Sequence, residues 1–511
     1  MIQTPRIALL LLAALWLLVH CSFAAERPNI LFFLVDDMGV TDTSVGFLYD
    51  DKGQEMDAPL RKRYRTPNME RLAAQGMRFA NARAYSVCTP TRASILTGQD
   101  APRLRITTWT HPKRPIDTGA SNHPRLDCPP WRVMGIDPSL PTLPSVLAAA
   151  GYHTIHCGKA HFGPDSSPAG DPLKIGFKQN IAGFGGGGPG SYWGMKNFSA
   201  AWRNGGHDWD VPGLERYHGQ DIFLTEALSL EMSDAIRSAV SKKEAPFFAY
   251  MSHYAVHAPF ETDARFAGNY PDLKGMPLAF ATLVEGMDKS LGDLIDTLDK
   301  LDVATRTLVV FFSDNGSDGP PNHPLRGKKG TRYDGGSRVP MIVSWAKPDP
   351  SEPMQRDLPI PAGGIVRDMV TPADFFPTLI RLAGARIPDD AIVDGHDISP
   401  YLRAVPGCHR PQRFAVHFPH GRHNHEWFST WTEEGWKIIH QYNNNSWELY
   451  HLKNDPSEKT NLLNQEPERA MRLATNLIQY LRKVGAQFPI NRNSGNPVLP
   501  DLGHLQKAIA E

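Results

Sequence analysis

Short runs of apolar, β-branched and aromatic residues recur along the chain, and each stops abruptly at polar residues. Residues 29–35 end at Asp36 and Asp37, and residues 152–157 end at Gly158 and Lys159. Residues 247–251 lead to His253 and His257, and residues 307–312 end at Ser313, Asp314 and Asn315. Continuous apolar runs of this length predict strands buried on both faces, as in a mostly parallel sheet. Helical periods lie between them. Residues 68–75 stop at Gly76, and residues 140–150 have proline near the start and Gly151 at the end. Residues 278–301 place Leu283, Met287, Leu291, Leu294 and Leu298 on one face. Strand alternating with helix is the α/β pattern, in which ligands bind beyond the carboxyl ends of the strands. The polar residues that end these strands are therefore the ones to weigh for chemistry.

The texture changes twice. Residues 163–219 have no sustained period and contain the run GFGGGGPG at 183–190, a length that predicts a lid or a binding insert. From about residue 405, runs at 413–418, 436–440 and 447–450 read as antiparallel strands, followed by an amphipathic helix carrying Leu473, Leu477, Leu481 and Val484. The expected fold class is thus α/β: a large, mostly parallel sheet flanked by helices over residues 26–405. A smaller C-terminal α+β subdomain, with an antiparallel sheet and a helix, is expected over 406–511.

Residues 1–25 read differently again. One early cation, Arg6, precedes an apolar run at 7–19 that is short for a membrane span, and small residues follow at 22–25. This is the pattern of a secretory signal peptide, and it predicts an exported chain, periplasmic or secreted, without stable membrane insertion. Composition narrows the partners. Lys and Arg number 54 against 54 Asp and Glu, which argues against a nucleic-acid partner. The 43 glycines and 44 prolines make up about a sixth of the chain, against an ordinary ~12%, and indicate a loop-rich protein. Four cysteines remain beyond the leader, too few for a disulfide scaffold. Cys157 reads as a buried thiol within a strand, and sequence leaves open whether Cys128 and Cys408 pair.

Adjacent carboxylates such as Asp36 and Asp37 most often belong to a turn or a helix cap, and Asp314-Asn315-Gly316 is equally a turn signal. Two strand ends that both present carboxylates, one with an amide oxygen beside it, make an oxygen-rich pocket suited to calcium or magnesium. Calcium tolerates irregular carboxylate geometry better and is the expected ion. Zinc is disfavoured, because there is no His-Glu-x-x-His and the cysteines are scattered. The segment CTPTRASILTG at 88–98 reads as a short helix, with Pro90 near its first turn and Gly98 at its end. Cys88 would lie at the helix amino terminus, where backbone N–H groups favour an anion, and Arg92 would lie one turn further in. A small buried cysteine beside an arginine salt bridge is the plainer reading of the same residues.

Cys-x-Pro-x-Arg followed by Ala-Ser-x-Leu-Thr-Gly resembles the signature of the type I sulfatases, within the alkaline-phosphatase superfamily. Further segments resemble that family in order: residues 29–39, the Gly-Lys-x-His of 158–161, the His-x-Pro-Phe of 257–260, Ser313 to Gly316, and the Lys-Gly and Gly-Gly-x-Arg-x-Pro blocks of 325–340. The tail around Trp447 to Tyr450, Asp455-Pro456 and Asn461-Leu462 does so as well, and Asp334 stands where the family usually has Glu. The resemblance implies hydrolysis of sulfate esters by formylglycine, made from Cys88 by a separate formylglycine-generating enzyme. It implies one calcium ion on Asp36, Asp37, Asp314 and Asn315, joined by the modified Cys88. It also gives Arg92, Lys159 and Lys329 the anion, His257 and Lys329 the proton for the departing alcohol, and His161 the remaining hydroxyl proton. Sulfated carbohydrate is the expected substrate. The rivals are a phosphomonoester or phosphodiester hydrolase of the same superfamily and an inactive sulfated-glycan binding protein. The His-rich stretch 417–425 is either a polar surface loop or a sugar-reading element, with His417 and His420 in contact with substrate.

Overall fold

The computed structural model describes residues 27–113, 123–242, 245–421 and 426–510. The expected leader at 1–25, and residues 422–425 of the His-rich stretch, lie outside the described residues. Nine strands precede the C-terminal sheet: β1 (Asn29–Val35), β2 (Met77–Ala82), β3 (Leu126–Asp127), β4 (His153–Gly158), β5 (Gln179–Ile181), β6 (Phe247–Ser252), β7 (Thr307–Ser313), β8 (Met341–Trp345) and β9 (Gly364–Val370). All but β3 form one eight-stranded sheet in the order β5-β4-β6-β1-β7-β8-β2-β9. Its pairs are parallel except those made by β8, which runs antiparallel to both β7 and β2.

The apolar runs are continuous because each face of this sheet has its own core. Along β1, Leu31, Phe33 and Val35 pack into one cluster, and Ile30, Phe32 and Leu34 pack into the cluster on the opposite face. β7 divides the same way, with Val309 and Phe311 on one side and Leu308, Val310 and Phe312 on the other. The expected helices form as α1 (Pro67–Gln75), α2 (Cys88–Thr97), α3 (Leu143–Ala149), α4 (Leu224–Ser241) and α5 (Gly275–Lys300). The five residues predicted to share a face of α5 are all in the first core. Gly98 ends α2 at φ 69°, a left-handed conformation that suits a residue without Cβ.

Beyond residue 405 an antiparallel sheet forms from β10 (Arg413–Phe418), β11 (Phe428–Glu433), β12 (Trp436–Gln441) and β13 (Ser446–His451), neighbours in chain order. The helix Pro467–Lys483 packs Leu473, Leu477 and Leu481 against Trp431, Ile438 and Leu449 of this sheet. A final two-residue strand, β14 (Ile490–Asn491), pairs with β3 of the main body. No helix among the described residues is long and apolar enough to cross a membrane.

Candidate active site

Four neighbouring parallel strands, β4-β6-β1-β7, release their carboxyl ends at one edge of the sheet. That edge carries Lys159 and His161 after β4, His257 after β6, Asp36 and Asp37 after β1, and Asp314 and Asn315 after β7. Cys88 opens α2, all ten of whose residues are buried. Lys329 arrives from the loop between β7 and β8. The turn after β1 is held tightly: the Asp37 amide donates to Asp314 Oδ1 at 3.2 Å and the Met38 amide to Ser313 Oγ at 3.1 Å. Asp37 and His161 both have positive φ, 61° and 55°, which places two uncommon backbone conformations at one site.

Carboxylates and cations alternate through this pocket. Lys159 Nζ lies 2.6 Å from Asp36 Oδ2, and Lys329 Nζ lies 2.7 Å from Asp37 Oδ2. Arg92 Nε donates to Asp314 Oδ2 at 2.7 Å, and its Nη1 donates to Ser252 Oγ and to the Lys159 carbonyl at 2.7 and 2.9 Å. Asn315 Nδ2 donates to Asp37 Oδ1 at 2.7 Å. Burial raises the Asp36 carboxyl well above its usual range despite Lys159 beside it. Asp37 ends low: burial alone would raise its carboxyl, but Lys329, His257 and Lys159 together hold it well below the usual range.

Among the described residues, the buried pocket atoms without a hydrogen-bond partner include Asp36 Oδ1, Asn315 Oδ1, Arg92 Nη2 and His161 Nδ1, with Arg92 Nη2 3.8 Å from Asp36 Oδ1. Ligand atoms of Asp36, Asp37 and Cys88 lie within 4.8 Å of one another. Two oxygens left bare inside a carboxylate cluster fit an oxygen-preferring divalent cation, which would give each of them a partner. Nη2, donating no hydrogen bond, fits an anion. Burial pushes the Cys88 thiol up to about 11, so as a plain cysteine it stays protonated at neutral pH and is a poor nucleophile.

The two imidazoles are oriented by backbone. His161 Nε2–H donates to the Thr110 carbonyl at 2.8 Å, which leaves Nδ1, buried and without a partner, as the basic nitrogen. His257 Nδ1–H donates to the Ala258 carbonyl at 2.7 Å, so Nε2 faces the pocket, 3.7 Å from Asp37 Oδ2. Burial and Lys329 hold the His257 pKa down to about 3. The glycine run lies against both rings. A Cβ on Gly187 would fall 2.6 Å from His161 Cε1, and one on Gly188 would fall 2.8 Å from His257 Nδ1.

This constellation can be compared with known proteins. The family model described as Sulfatase matches residues 28–385, about seven-tenths of the chain. The chain belongs to the sulfatase family. It is a sulfuric ester hydrolase of the type I sulfatases, within the alkaline-phosphatase superfamily. A second model, N-sulphoglucosamine sulphohydrolase, C-terminal, matches residues 328–487. A protein named Sulfatase from Formosa agariphila is 28% identical, the match covering 90% of this chain and 89% of that protein. An N-acetylgalactosamine-6-sulfatase of Mus musculus is 31% identical over 77% of this chain and 69% of its own length. Among solved structures, Ps i-CgsB superposes with a TM-score of 0.71 at 25% identity, covering 95% of this chain and 98% of that one.

The sulfatase fold thus gathers all ten residues singled out in the sequence, and it also uses groups that sequence reasoning missed. Ser252 and the Thr110 carbonyl orient Arg92 and His161, but a serine ending a strand and a backbone carbonyl carry no sequence signature. Arg92 differs from expectation, since most of its guanidinium is spent on Asp314, Ser252 and a carbonyl, and Nη2, which makes no hydrogen bond, lies 3.8 Å from Asp36 Oδ1. The sugar-reading expectation for His417 and His420 is corrected. His417 is buried between Ser429 Oγ at 2.7 Å and the Gln487 carbonyl at 2.6 Å, and His420 is buried with Nε2 2.6 Å from Thr107 Oγ1. Neither ring faces solvent. Cys128, Cys157 and Cys408 form no disulfide among the described residues, and Cys157 is buried as expected. Asp334, the departure from the family pattern, lies in a separate buried cluster with Arg83 and Lys437.

Proposed function

We propose that this sulfatase hydrolyses sulfate esters of a carbohydrate, with Cys88 converted to formylglycine and a calcium ion held by Asp36, Asp37, Asp314 and Asn315. The observation that carries the reading is the convergence of Cys88 with Asp36 and Asp37 at the buried start of α2, ringed by Arg92, Lys159 and Lys329. Formylglycine, produced by a dedicated generating enzyme, would supply a hydrated aldehyde in place of a thiol that burial keeps protonated. The cation would supply fixed positive charge beside the nucleophile and the sulfate oxygens.

The chain's own residues do the rest. Three cations, Arg92, Lys159 and Lys329, balance three carboxylates, Asp36, Asp37 and Asp314, so a bound divalent ion leaves the pocket positive by two. That surplus suits an anionic ester and the charge that builds on its oxygens during displacement. Arg92 Nη2, which makes no hydrogen bond and pairs with Asp36 Oδ1 only at 3.8 Å, has the capacity to bind a sulfate oxygen once that carboxylate turns to the cation. Lys329 is the donor for the departing alcohol, and His257, whose own proton sits at Nδ1 on the Ala258 carbonyl, joins it as a donor only once Nε2 has taken up a proton. His161 is the base, and it receives the hydroxyl proton at Nδ1, because Nε2 is occupied at Thr110.

Relatives named N-acetylgalactosamine-6-sulfatase support a carbohydrate substrate, and a neighbour of the same fold was solved in complex with k-i-k-neocarrahexaose. We read the chain as exported from the pattern of residues 7–25, with a main unit at 26–405 and a C-terminal unit at 406–511. The test is the intact mass of the peptide spanning Cys88 from native-host protein, with sulfate release from an aryl sulfate and phosphate release from an aryl phosphate. Conversion of the thiol to an aldehyde, with the sulfate ester preferred, is expected. An unmodified Cys88 and no sulfate release would overturn the reading.

A further inference from the structure

The insert at 163–219 carries tryptophans beside the pocket that the chemistry above does not use. Trp202 is 48% exposed, but it is not loosely held. Its Nε1–H donates to the Gly190 carbonyl at 3.2 Å, and Lys196 Nζ sits 3.8 Å from its ring centroid. The same ammonium lies 2.6 Å from Glu261 Oε1, while Glu261 Oε2 accepts from Ser191 Oγ and the Tyr192 amide at 2.7 and 2.6 Å. A cation caps part of the ring, buried hydrogen bonds anchor the cation, and almost half of the residue remains open to solvent.

Its position matters more than its exposure. Gly190 is two residues from Gly188, which lies against the His257 ring. Two residues of chain span at most about 7 Å, and Tyr192, whose amide is held by Glu261, donates its hydroxyl to the His257 carbonyl at 2.8 Å, so the segment that anchors Trp202 is the one packed on His257. Trp209 of the same insert packs on a second segment of the pocket, and the stretches carrying the two tryptophans are joined by the Ala200 amide, which donates to Asp210 Oδ1 at 3.2 Å. The Trp209 ring meets His111 edge to face at 5.3 Å, and His111 follows Thr110, whose carbonyl holds His161. An ion pair of 2.8 Å between Lys113 and Asp208 ties these two segments together. The segments that hold the two imidazoles of the pocket each bond to or touch an indole, and both indoles come from one insert.

Charge in the pocket recognises a sulfate but not what the sulfate is attached to. A rigid, half-exposed indole offers wide apolar contact at low entropic cost, and its natural complement is the C–H face of a sugar ring. We propose that Trp202, together with Trp209 of the same insert, forms a stacking platform for the sugar ring joined to the sulfated residue, so that the enzyme is selective for an oligosaccharide over an isolated sulfate ester. The proposal rests on the sulfatase reading above and deepens it.

The test compares the unaltered enzyme with Trp202→Ala, Trp202→Phe and Trp209→Ala on three probes. These are a 6-sulfated galactosaminoglycan tetrasaccharide, a sulfated galactan tetrasaccharide and an aryl sulfate. W202A should lower kcat/KM on the preferred tetrasaccharide at least tenfold more than on the aryl sulfate, chiefly through KM. W209A should shift the same ratio in the same direction, and W202F, which keeps a ring but loses the bond to Gly190, should retain most of the preference. Equal losses on both kinds of substrate would overturn the platform, as would a W202F as impaired as W202A. So would an unaltered enzyme that takes the aryl sulfate and neither tetrasaccharide. Failure of the sulfatase reading is distinct: the unaltered enzyme would then release no sulfate from any probe. In that case calorimetric binding of the tetrasaccharides decides, with binding lost in W202A supporting the platform and binding kept, or absent from the start, ending it.

Discussion

At the scale of single residues, the pocket depends on atoms that are absent as much as on those present. Gly187 and Gly188 let backbone lie against His161 and His257, where a Cβ would fall within 3 Å of each ring. Gly187→Ala and Gly188→Ala should therefore lower kcat by roughly 10- to 100-fold, the scale expected when a catalytic group is displaced by about 1 Å. Their thermal unfolding should change little. Gly268, whose Cβ position meets nothing within 4 Å, provides the control, and Gly268→Ala should leave sulfate release unchanged. A G187A enzyme as active as the parent would mean that the His161 ring is not held from this side. The contrast also shows what the sequence could disclose about the site. Asp36, Asp314 and Lys159 were legible because they end apolar runs, and Cys88 because its motif is specific. The Thr110 carbonyl and the glycine contacts were not, since backbone groups from distant segments leave no residue-type signal.

Among the elements, helix α1 illustrates how local rules can be met from far away. Thr66, at its N-cap position, makes no side-chain cap. The capping carboxylate is Asp288 on α5, which accepts from the Asn68 amide at 3.0 Å, the Met69 amide at 2.8 Å and Asn68 Nδ2 at 3.0 Å. Asp288→Ala should cost about 1–2 kcal/mol in unfolding free energy, the usual range for losing a cap. Burial raises the Asp288 pKa to about 7, with the Glu70 charge acting in the same direction. The folded state then holds a proton that the unfolded chain has released. The contribution of this group is thus full below about pH 4 and is lost as pH rises toward 7. Asp288→Asn should flatten that part of the stability profile, and a parent profile unchanged between pH 4 and 7 would rule the assignment out. Element-level reading was most successful where strands are buried on both faces, as with β1 and β7. It missed β2, whose sequence MRFANA breaks its apolar run with Arg78 and Asn81, and β11, whose sequence FSTWTE alternates with polar residues. It also gave no sign that β8 runs antiparallel inside an otherwise parallel sheet, because strand direction is set by connections rather than composition.

For the whole molecule, zero formal charge conceals clusters that are balanced locally, and one of them joins the C-terminal sheet to the main body. Asp334, before the last strands of the large sheet, lies 2.6 Å from Arg83 Nη1 and 3.1 Å from Lys437 Nζ on β12. Lys437 also reaches Glu458 Oε1 at 2.9 Å, and Glu458 Oε2 accepts from the Asp334 amide at 2.7 Å. All four side chains are almost fully buried. Burial raises the Glu458 pKa to about 7, whereas Arg83, Lys437 and Arg338 overcome burial to hold Asp334 far below its usual range. The two carboxylates therefore depend on Lys437 unequally. Lys437→Ala removes the cation they share and leaves buried charge without its partner, a change that typically costs about 3–5 kcal/mol. Glu458→Gln keeps an acceptor for the Asp334 amide and leaves Asp334 its two arginines, so it should cost much less. Denaturant unfolding of the two variants at pH 7 measures the difference, and E458Q as damaging as K437A would show that the charge on Glu458 itself carries the junction. Cys88 and the pocket lie outside this cluster, so folded K437A should retain its specific activity at temperatures below its own unfolding. A lower kcat in the still-folded variant would instead mean that the C-terminal sheet sets the geometry of the Lys329 loop, which leads directly into Asp334.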